Sequence, residues 1–290
     1  MRGLHLKRQK DKDELAKVYT NRELEVTRAN LRAWDYWGRT WRLGRKNRPL
    51  DPYIIRVMKI RALTYQKAYF EMMKSLHGSK NKSIVDIGCG TSDYLKWLAD
   101  DFKKLVGVDI SVEMLKLCRE DLGKSIELVA ADALHLPFKD GAFDISTTFQ
   151  ALHHFPNWKK ALTEMVRTSK HVTIYEPNGD SFFHRFMHLI RRSFRVEQRF
   201  KQTDEDYSLV EFQASGFRQK RLVEFLQREE MNTKVFMFGM IPVSLLEKIA
   251  NLSLRFLYSV LIIEDLLRKI PIVRNQLGGI LLIGWKQDIE

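Results

Sequence analysis

Short apolar runs alternate with amphipathic stretches from residue 83 onward. Seven runs have the length and apolar content of strands: SIVDI, KLVGVD, IELVAAD, FDISTTF, HVTIYEP, TKVFMFGM and GILLIGWK. Among the first five, apolar residues recur with the helical period at about 92–101, 111–121 and 157–169. This alternation predicts an α/β architecture, in which a mainly parallel, doubly wound sheet carries helices on both faces.

The first 80 residues contain no strand-like run. A helix is predicted over 23–41, interrupted beyond it by Gly44 and the Pro49/Pro52 pair, and one of its faces is marked by Leu24, Leu31, Trp34 and Trp37. A second helix is predicted over 53–76 and ends at the stretch HGSKNKS. We therefore predict a helical cap over 1–80 and a main domain over 81–290, with helical insertions at about 179–206 and 241–277.

Composition narrows the class of protein. The two cysteines, Cys89 and Cys118, are too few for a disulfide framework, which favours a reducing compartment. The start MRGLHLKRQKDKDE lacks the apolar region of a secretory signal, and no stretch reaches the roughly 20 apolar residues of a membrane span. A cytoplasmic protein is expected.

The charge is strongly positive and unevenly placed. The formal net charge is +13, and residues 1–50 hold 14 Lys and Arg against 6 Asp and Glu. Such a field favours nucleic acid, phospholipid head groups or an acidic substrate, and a solvated basic surface is the alternative.

A glycine turn follows the first predicted strand. Gly88-Cys89-Gly90 has the first two glycines of the dinucleotide pattern GxGxxG, but Asp93 occupies the third position. A carboxylate there would repel a pyrophosphate, which argues against NAD. Because Cys89 has no base or metal partner spaced beside it, it is interpreted as a small packing residue.

Acids follow the next two predicted strands. Asp109 lies 21 residues after Gly88, where a carboxylate can accept hydrogen bonds from a ribose diol. In AADALHLPF, Asp132 can accept from an amino group, and the backbone N–H of Ala133 can donate to a ring nitrogen. With Asp86, these acids suit a ligand that has a ribose, an amino-purine and a cationic head. Taken singly, each could be a strand-end or helix-capping residue.

The chain resembles the class I S-adenosylmethionine-dependent methyltransferases, in particular the type 11 subgroup that acts on small molecules, lipids and quinones. The resemblance runs through VDIGCGTSDYL, GVDISVEML, AADALHLPF, GAFDISTTFQALHHF and HVTIYEPN, about a third of the chain. It implies a Rossmann-like seven-stranded sheet whose last strand is antiparallel, and S-adenosyl-L-methionine (SAM) as cofactor. Ser92 departs from the glycine that is common in the family.

The resemblance also assigns roles to individual residues. The methionine part would lie on the turn Asp86, Gly88, Cys89 and Gly90; Asp109 would bind ribose; Ile110, Ser111 and Met114 would flank the adenosine; Asp132 and Ala133 would read adenine; and Phe149 and Gln150 would line the methyl end. No metal is implied.

His153 and His154 are the candidate bases for an acceptor that must lose a proton. They follow the fourth predicted strand, and an imidazole can take up a proton near neutral pH. The alternative is that one of them packs against or caps the helix after Pro156. In the family, methylation of amide and nucleobase nitrogens goes with an Asn/Asp-Pro-Pro-Tyr/Phe motif, and this chain has none after that strand.

The segment SFFHRFMHLIRRSFRVEQRF places aromatics on one helical arc and arginines, among them Arg191, Arg192 and Arg195, on the other. This pattern favours peripheral contact with an anionic membrane surface, and a helix that covers the active site is the alternative.

Three hypotheses for the function follow from the sequence. The first is an O- or C-methyltransferase for a hydrophobic or membrane-associated acceptor. The others are an RNA or protein methyltransferase that uses the basic N-terminal face, and a non-catalytic SAM-binding partner subunit.

Overall fold

The computed structural model of the chain describes residues 19–47, 71–76, 80–91, 95–98, 101–123, 126–182, 216–238, 266 and 269–286. Most of the second predicted helix and most of both predicted insertions lie outside these residues, as do Ser92, Asp93 and the arginines of the basic segment. The proposed boundary between a cap and a main domain stays a prediction.

All seven predicted strands form one sheet. They are β1 (Ser83–Ile87), β2 (Lys104–Asp109), β3 (Glu127–Ala130), β4 (Phe143–Phe149), β5 (Ser169–Pro177), β6 (Met231–Phe238) and β7 (Gly279–Lys286). The order is β3-β2-β1-β4-β5-β7-β6, and β7 runs antiparallel to both of its neighbours. The predicted α/β fold with an antiparallel last strand is confirmed.

The described helices are α1 (Asn21–Asn47), α2 (Leu95–Leu98), α3 (Val112–Leu122), α4 (Trp158–Thr168), α5 (Gln219–Arg228) and α6 (Pro271–Arg274), with a 3₁₀ turn over Leu152–His154. The bounds of α3 and α4 lie within one residue of those predicted. Gly44 was expected to interrupt the first helix, but α1 continues through it to Asn47. A single glycine lowers helix stability by only about 1 kcal/mol, which neighbouring residues can offset.

The core lies on both faces of the sheet. One face packs Val85, Ile87 and Ile174 against apolar residues of α4 and α5. The other packs Ile84 and Ile145 against α2, α3 and the segment 71–76. Since both faces are covered, the central strands β1 and β4 are buried along most of their length, as expected for a doubly wound sheet.

The buried stripe of α1 differs from the predicted one. Val26, Ala29, Asn30 and Ala33 are buried, while the predicted Leu24, Leu31, Trp34 and Trp37 are only half-buried. Small side chains let the helix approach the domain closely, so the large apolar side chains lie at its margins. The prediction of an amphipathic helix was right, but it chose the wrong residues for the centre of its buried face.

The connectivity of the sheet marks one edge for ligand binding. β1 pairs with β2 on one side and with β4 on the other, so the strand order reverses at β1. In open parallel sheets, ligands bind at such a switch point, beyond the carboxyl ends of the strands. The turn Gly88–Gly90 leaves β1 at this edge.

Candidate active site

The two glycines of the turn lie in different surroundings. Gly88 and Cys89 both donate their N–H groups to the carbonyl of Val108, at 2.8 and 3.0 Å, which ties the turn to β2. Gly88 has φ +78°, and a Cβ placed on it would lie 2.5 Å from the Cβ of Ala151. Gly90 has φ +54°, and no described atom lies within 4 Å of a Cβ placed there. The packing of the protein itself therefore requires Gly88, whereas Gly90 borders open space.

Asp109 connects the end of β2 to this turn. Its Oδ2 accepts from Gly90 N at 2.9 Å, and its Oδ1 accepts from Ser111 N at 2.8 Å. Each carboxylate oxygen has a second lone pair, so both can still accept from a ligand hydroxyl. Burial raises the pKa of Asp109 to about 6, against the lowering effect of these backbone bonds. The charge of Asp35 on α1 raises it further.

Asp86 is a buried acid just before the turn. Its side chain is 1% exposed, and no described group forms a hydrogen bond with its Oδ1. Burial raises the pKa of Asp86 well above the usual value, and Cys118 and Asp109 add to the rise. A buried carboxylate oxygen without a partner is unfavourable, so this position favours a cationic or hydrogen-donating ligand.

Cys89 and the residues after Asp109 contribute to core packing and helix capping. Cys89 is buried in the core on the face of α3, and its pKa is raised first by a hydrogen bond with Cys118 and then by burial. Met114 is buried within α3, and its N–H donates to the Ser111 hydroxyl, which caps that helix. Ile110 is half-buried beside Asp109. Ser111 is thus a helix cap and is fully buried.

Asp132 lies beyond the end of β3 and meets the N-terminal segment. Its Oδ1 accepts from Leu134 N at 2.9 Å, and its Oδ2 accepts from the Tyr19 hydroxyl at 2.7 Å. The same hydroxyl lies 2.8 Å from His135 Nδ1, and His135 Nε2 lies 2.6 Å from Lys160 Nζ. Ala133 is buried next to Asp132. Tyr19 therefore fixes the predicted adenine-reading carboxylate.

The end of β4 carries Phe149 and Gln150. The Phe149 ring stacks on that of Tyr175, with centroids 4.5 Å apart. Gln150 has φ +53°, which is unusual for a residue with a side chain, and its N–H donates to the Tyr175 carbonyl at 2.8 Å. Strained backbone of this kind clusters at functional sites.

The two histidines follow in the 3₁₀ turn. His153 Nδ1 lies 2.6 Å from Oε2 of the buried Glu176. The His154 ring makes an edge contact with Trp34 at 5.0 Å, and the His154 carbonyl accepts from Asn30 Nδ2 at 2.7 Å. Asn30 is 5% exposed, and its Oδ1 has no hydrogen-bond partner among the described residues.

The structure brings most of the predicted residues to one edge. Asp86, the turn and Asp109 adjoin one another, and the turn reaches the histidine segment because Gly88 packs on Ala151 and Phe155. Asp132 joins through the pairing of β2 with β3. Among the described residues, no group of three or more His, Cys, Asp and Glu side chains is arranged to hold a metal ion.

Three contributors from α1 and its start were missed as site residues: Tyr19, Asn30 and Asp35. Asp35 accepts from the Ser111 hydroxyl at 2.6 Å, so α1 also contacts the start of α3. The sequence offered an indication of Asn30, because it shares the helical spacing of Val26, Ala29 and Ala33. A polar residue on such an apolar face indicates a specific hydrogen bond. Tyr19 carried none, because its partners are 113 and 116 residues away.

A groove of about 500 Å³ lies elsewhere, lined by Asp180, Gln219, Lys220, Val223, Met237, Asn275 and Gln276. None of these residues was predicted for the site. The lining has no buried polar atom without a partner among the described residues. The edge with the acids has both such an atom, on Asp86, and the open space at Gly90, so this edge is the candidate site.

Known proteins share this region of the sequence. Residues 85–172 match a family model described as a methyltransferase domain. The demethylmenaquinone methyltransferase of Lactiplantibacillus plantarum is 33% identical over 108 residues, which cover 34% of this chain and 46% of that protein. The Staphylococcus carnosus enzyme of the same name is 36% identical over 104 residues, covering 34% and 43%. The chain thus spans less than half the length of these curated relatives.

Solved structures share the fold. A SAM-dependent methyltransferase from Thermotoga maritima, described as a possible histamine N-methyltransferase, has a TM-score of 0.53 at 17% identity, covering 80% of this chain and 91% of that one. The magnesium protoporphyrin IX methyltransferase of Synechocystis PCC 6803, solved with bound SAH, has a TM-score of 0.52 at 10% identity, covering 85% and 93%.

The strand order, the antiparallel last strand and these likenesses define a class I methyltransferase fold. Within that fold, residues 85–172 match the model of a methyltransferase domain, in agreement with the type 11 resemblance found in the sequence. None of the described helices is long and apolar enough to cross a membrane.

The raised pKa of Asp109 predicts a pH effect on stability. An acid whose pKa is higher in the folded than in the unfolded chain stabilises the fold below its unfolded pKa, and loses that contribution as pH rises through the folded value. For a rise from 3.8 to about 6, the loss between pH 4 and pH 7 is about 2–3 kcal/mol. We expect urea unfolding at several pH values to show this slope, and Asp109→Asn to reduce it. Parallel profiles for the two proteins would contradict the burial of this carboxylate.

Proposed function

We propose that the chain is a SAM-dependent methyltransferase that methylates an oxygen or carbon of a small, hydrophobic acceptor. The observation that carries the proposal is the acid-lined turn at the strand switch point. There Asp109 holds Gly90 N beside open space, and the buried Asp86 oxygen has no partner among the described residues. This arrangement fits a cationic, ribose-bearing ligand and does not fit a polyphosphate.

The residues fit SAM part by part. Asp86 would attract the amino end of the methionine moiety. Burial and the neighbouring Asp109 both disfavour its negative charge, and a bound ammonium group would compensate for that. The two oxygens of Asp109 would accept from the ribose hydroxyls, and Asp132, held by Tyr19 and Leu134 N, would accept from the adenine amino group. Phe149 and Gln150 would border the methyl end. We expect Cys89, Met114 and Ala133 to shape this site by packing.

When bound, SAM supplies a methyl group on a cationic sulfur, which an oxygen or carbon nucleophile can displace. The chain's own part is to align the acceptor and exclude water. Asn30 and Trp34 lie against His154, so α1 covers this end of the site. We propose that His153 or His154 takes the acceptor's proton, as an imidazole can do near neutral pH.

A hydrophobic acceptor is supported by the demethylmenaquinone methyltransferases among the relatives. Apolar side chains are also exposed beside the groove that Asp180 and Gln276 line. Phe182 is 71% exposed and Ile272 is 80% exposed, and the exposed Lys269 and Arg274 lie near Ile272 in sequence. Apolar side chains rimmed by cations suit an anionic lipid surface, so peripheral membrane contact stays part of the proposal. Trp34 packs on His154, which leaves its ring less available for stacking on RNA.

A transfer assay with methyl-labelled SAM tests the function. The purified chain is incubated with separate pools of membrane lipid extract, RNA, protein and polar small molecules, and label is counted in each. We expect label in the lipid extract, and none with Asp109→Ala. Label in RNA or protein would overturn the acceptor class in favour of the second hypothesis. SAM binding without transfer to any pool would favour a non-catalytic partner subunit.

A further inference from the structure

Glu176 is a buried carboxylate near the end of β5. Its side chain is fully buried, between Tyr175 and Pro177 in a strand whose other residues are mostly buried. Oε1 accepts from the backbone N–H of Leu152 at 2.7 Å, and Oε2 lies 2.6 Å from His153 Nδ1. A carboxylate taken out of water is unfavourable unless it is well paired. Its two partners both belong to the turn that presents the histidines.

The contact with Glu176 favours one tautomer of the imidazole. An ionised carboxylate only accepts, so the short contact requires the proton on His153 Nδ1. In the neutral ring the lone pair then lies on Nε2. A neighbouring carboxylate also stabilises the charged ring that forms when Nε2 takes up a proton, as the aspartate does in the Ser-His-Asp triad.

The surroundings of His153 keep this pair partly shielded from water. The His153 side chain is 16% exposed, and its ring lies 4.0 Å from that of His154. His154 is in turn covered by Trp34 and Asn30 of α1. The titratable groups that face His153 in the described part of the chain include Glu176 from β5 and His154 from its own turn.

We propose that Glu176 is a positioning residue that holds His153 in the Nδ1–H tautomer, so that Nε2 accepts the proton of the methyl acceptor. The acceptor's O–H or C–H bond breaks, its proton forms the Nε2–H bond, and the electron pair stays on the acceptor. The charged imidazolium pairs with Glu176 until it returns the proton to solvent. This role rests on the proposed function, because it assumes an acceptor that loses a proton.

Nitrogen NMR of the histidine rings tests the tautomer without any ligand. In the wild-type chain, the shifts assigned to His153 by comparison with His153→Gln are expected to show a protonated Nδ1 and an unprotonated Nε2. In Glu176→Gln, whose amide can donate to Nδ1, we expect the tautomer to reverse. We also expect the proton affinity of the ring to fall roughly tenfold, as on loss of a nearby opposite charge. A wild-type ring that is already protonated on Nε2 would overturn the proposal even if the variant fails to fold.

Glu164→Gln is the matched control. Glu164 also accepts a backbone N–H, from Leu136 at 2.8 Å, but it pairs with Arg167 on α4. We expect this variant to leave the His153 spectrum unchanged. If Glu176→Gln and Glu164→Gln give the same His153 titration as the wild type, the positioning role is wrong.

Transfer kinetics provide the second readout. Once an acceptor is found, Glu176→Gln should lower kcat by about tenfold or more and move the acidic limb of the pH profile, with little change in the KM for SAM. The NMR result separates this proposal from the proposed function. If the chain transfers no methyl group but the tautomer depends on Glu176, only the function fails; if transfer occurs and the tautomer does not depend on it, only the positioning role fails.

Discussion

Replacing Asp109 by alanine is expected to weaken the binding of SAH by about a hundredfold or more. The carboxylate presents two oxygens, each already held by one backbone N–H, and each has a lone pair left for a ribose hydroxyl. Hydrogen bonds to a charged group are worth about 1.5–3 kcal/mol each, so the loss of two corresponds to a hundredfold change or more. Isothermal titration calorimetry measures it.

The control for this prediction is Asp140→Ala. Asp140 is exposed and pairs with Arg167, and it is not among the predicted site residues. We expect its SAH affinity to equal that of the wild type. Equal affinity of the wild type and Asp109→Ala would remove Asp109 from the cofactor site, whatever the activity of the chain.

Replacement by alanine should destabilise the fold much more at Gly88 than at Gly90. In Gly88→Ala the new Cβ meets the Cβ of Ala151 at 2.5 Å and the backbone has φ +78°. Overpacking and left-handed strain together are expected to lower the free energy of unfolding by about 3 kcal/mol or more. In Gly90→Ala the Cβ meets no described atom, so the expected loss is only about 1 kcal/mol of backbone strain.

Although Gly90→Ala costs little stability, it should weaken the binding of SAH. If the space beside Gly90 belongs to the cofactor, Gly90→Ala is expected to weaken SAH binding at least tenfold while the chain stays folded. Urea denaturation and calorimetry on the same preparations measure both effects. A Gly90→Ala variant that binds SAH like the wild type would show that the ligand does not approach this turn.

The sequence predicted the sheet well because the pattern of each strand is local. Runs such as SIVDI and KLVGVD carry apolar residues at successive positions instead of alternating ones, so their burial on both faces could be expected from the residues alone. The acids were found for a related reason. Parallel strands bring their carboxyl ends to one edge, so Asp109 and Asp132 were expected to be neighbours although 23 residues separate them.

The rest of the site depends on contacts that no local pattern records. Tyr19 reaches Asp132 across 113 residues, and Asp35 reaches Ser111 across 76. Their positions follow from how α1 docks on the domain, and the size of its apolar side chains suggested a different buried face. Glu176 lies near the end of the HVTIYEP run, and nothing in that run indicates a partner for it. Its pairing with His153 depends on the path of the chain after Phe149, which includes the strained Gln150.

Titration of SAH into the wild-type chain by isothermal titration calorimetry tests most directly whether this edge of the sheet holds the cofactor. We expect saturable binding of one SAH per chain that Asp109→Ala loses and Asp140→Ala retains. A folded chain that binds neither SAH nor SAM would contradict the assignment of the cofactor and, with it, the proposed methyl transfer.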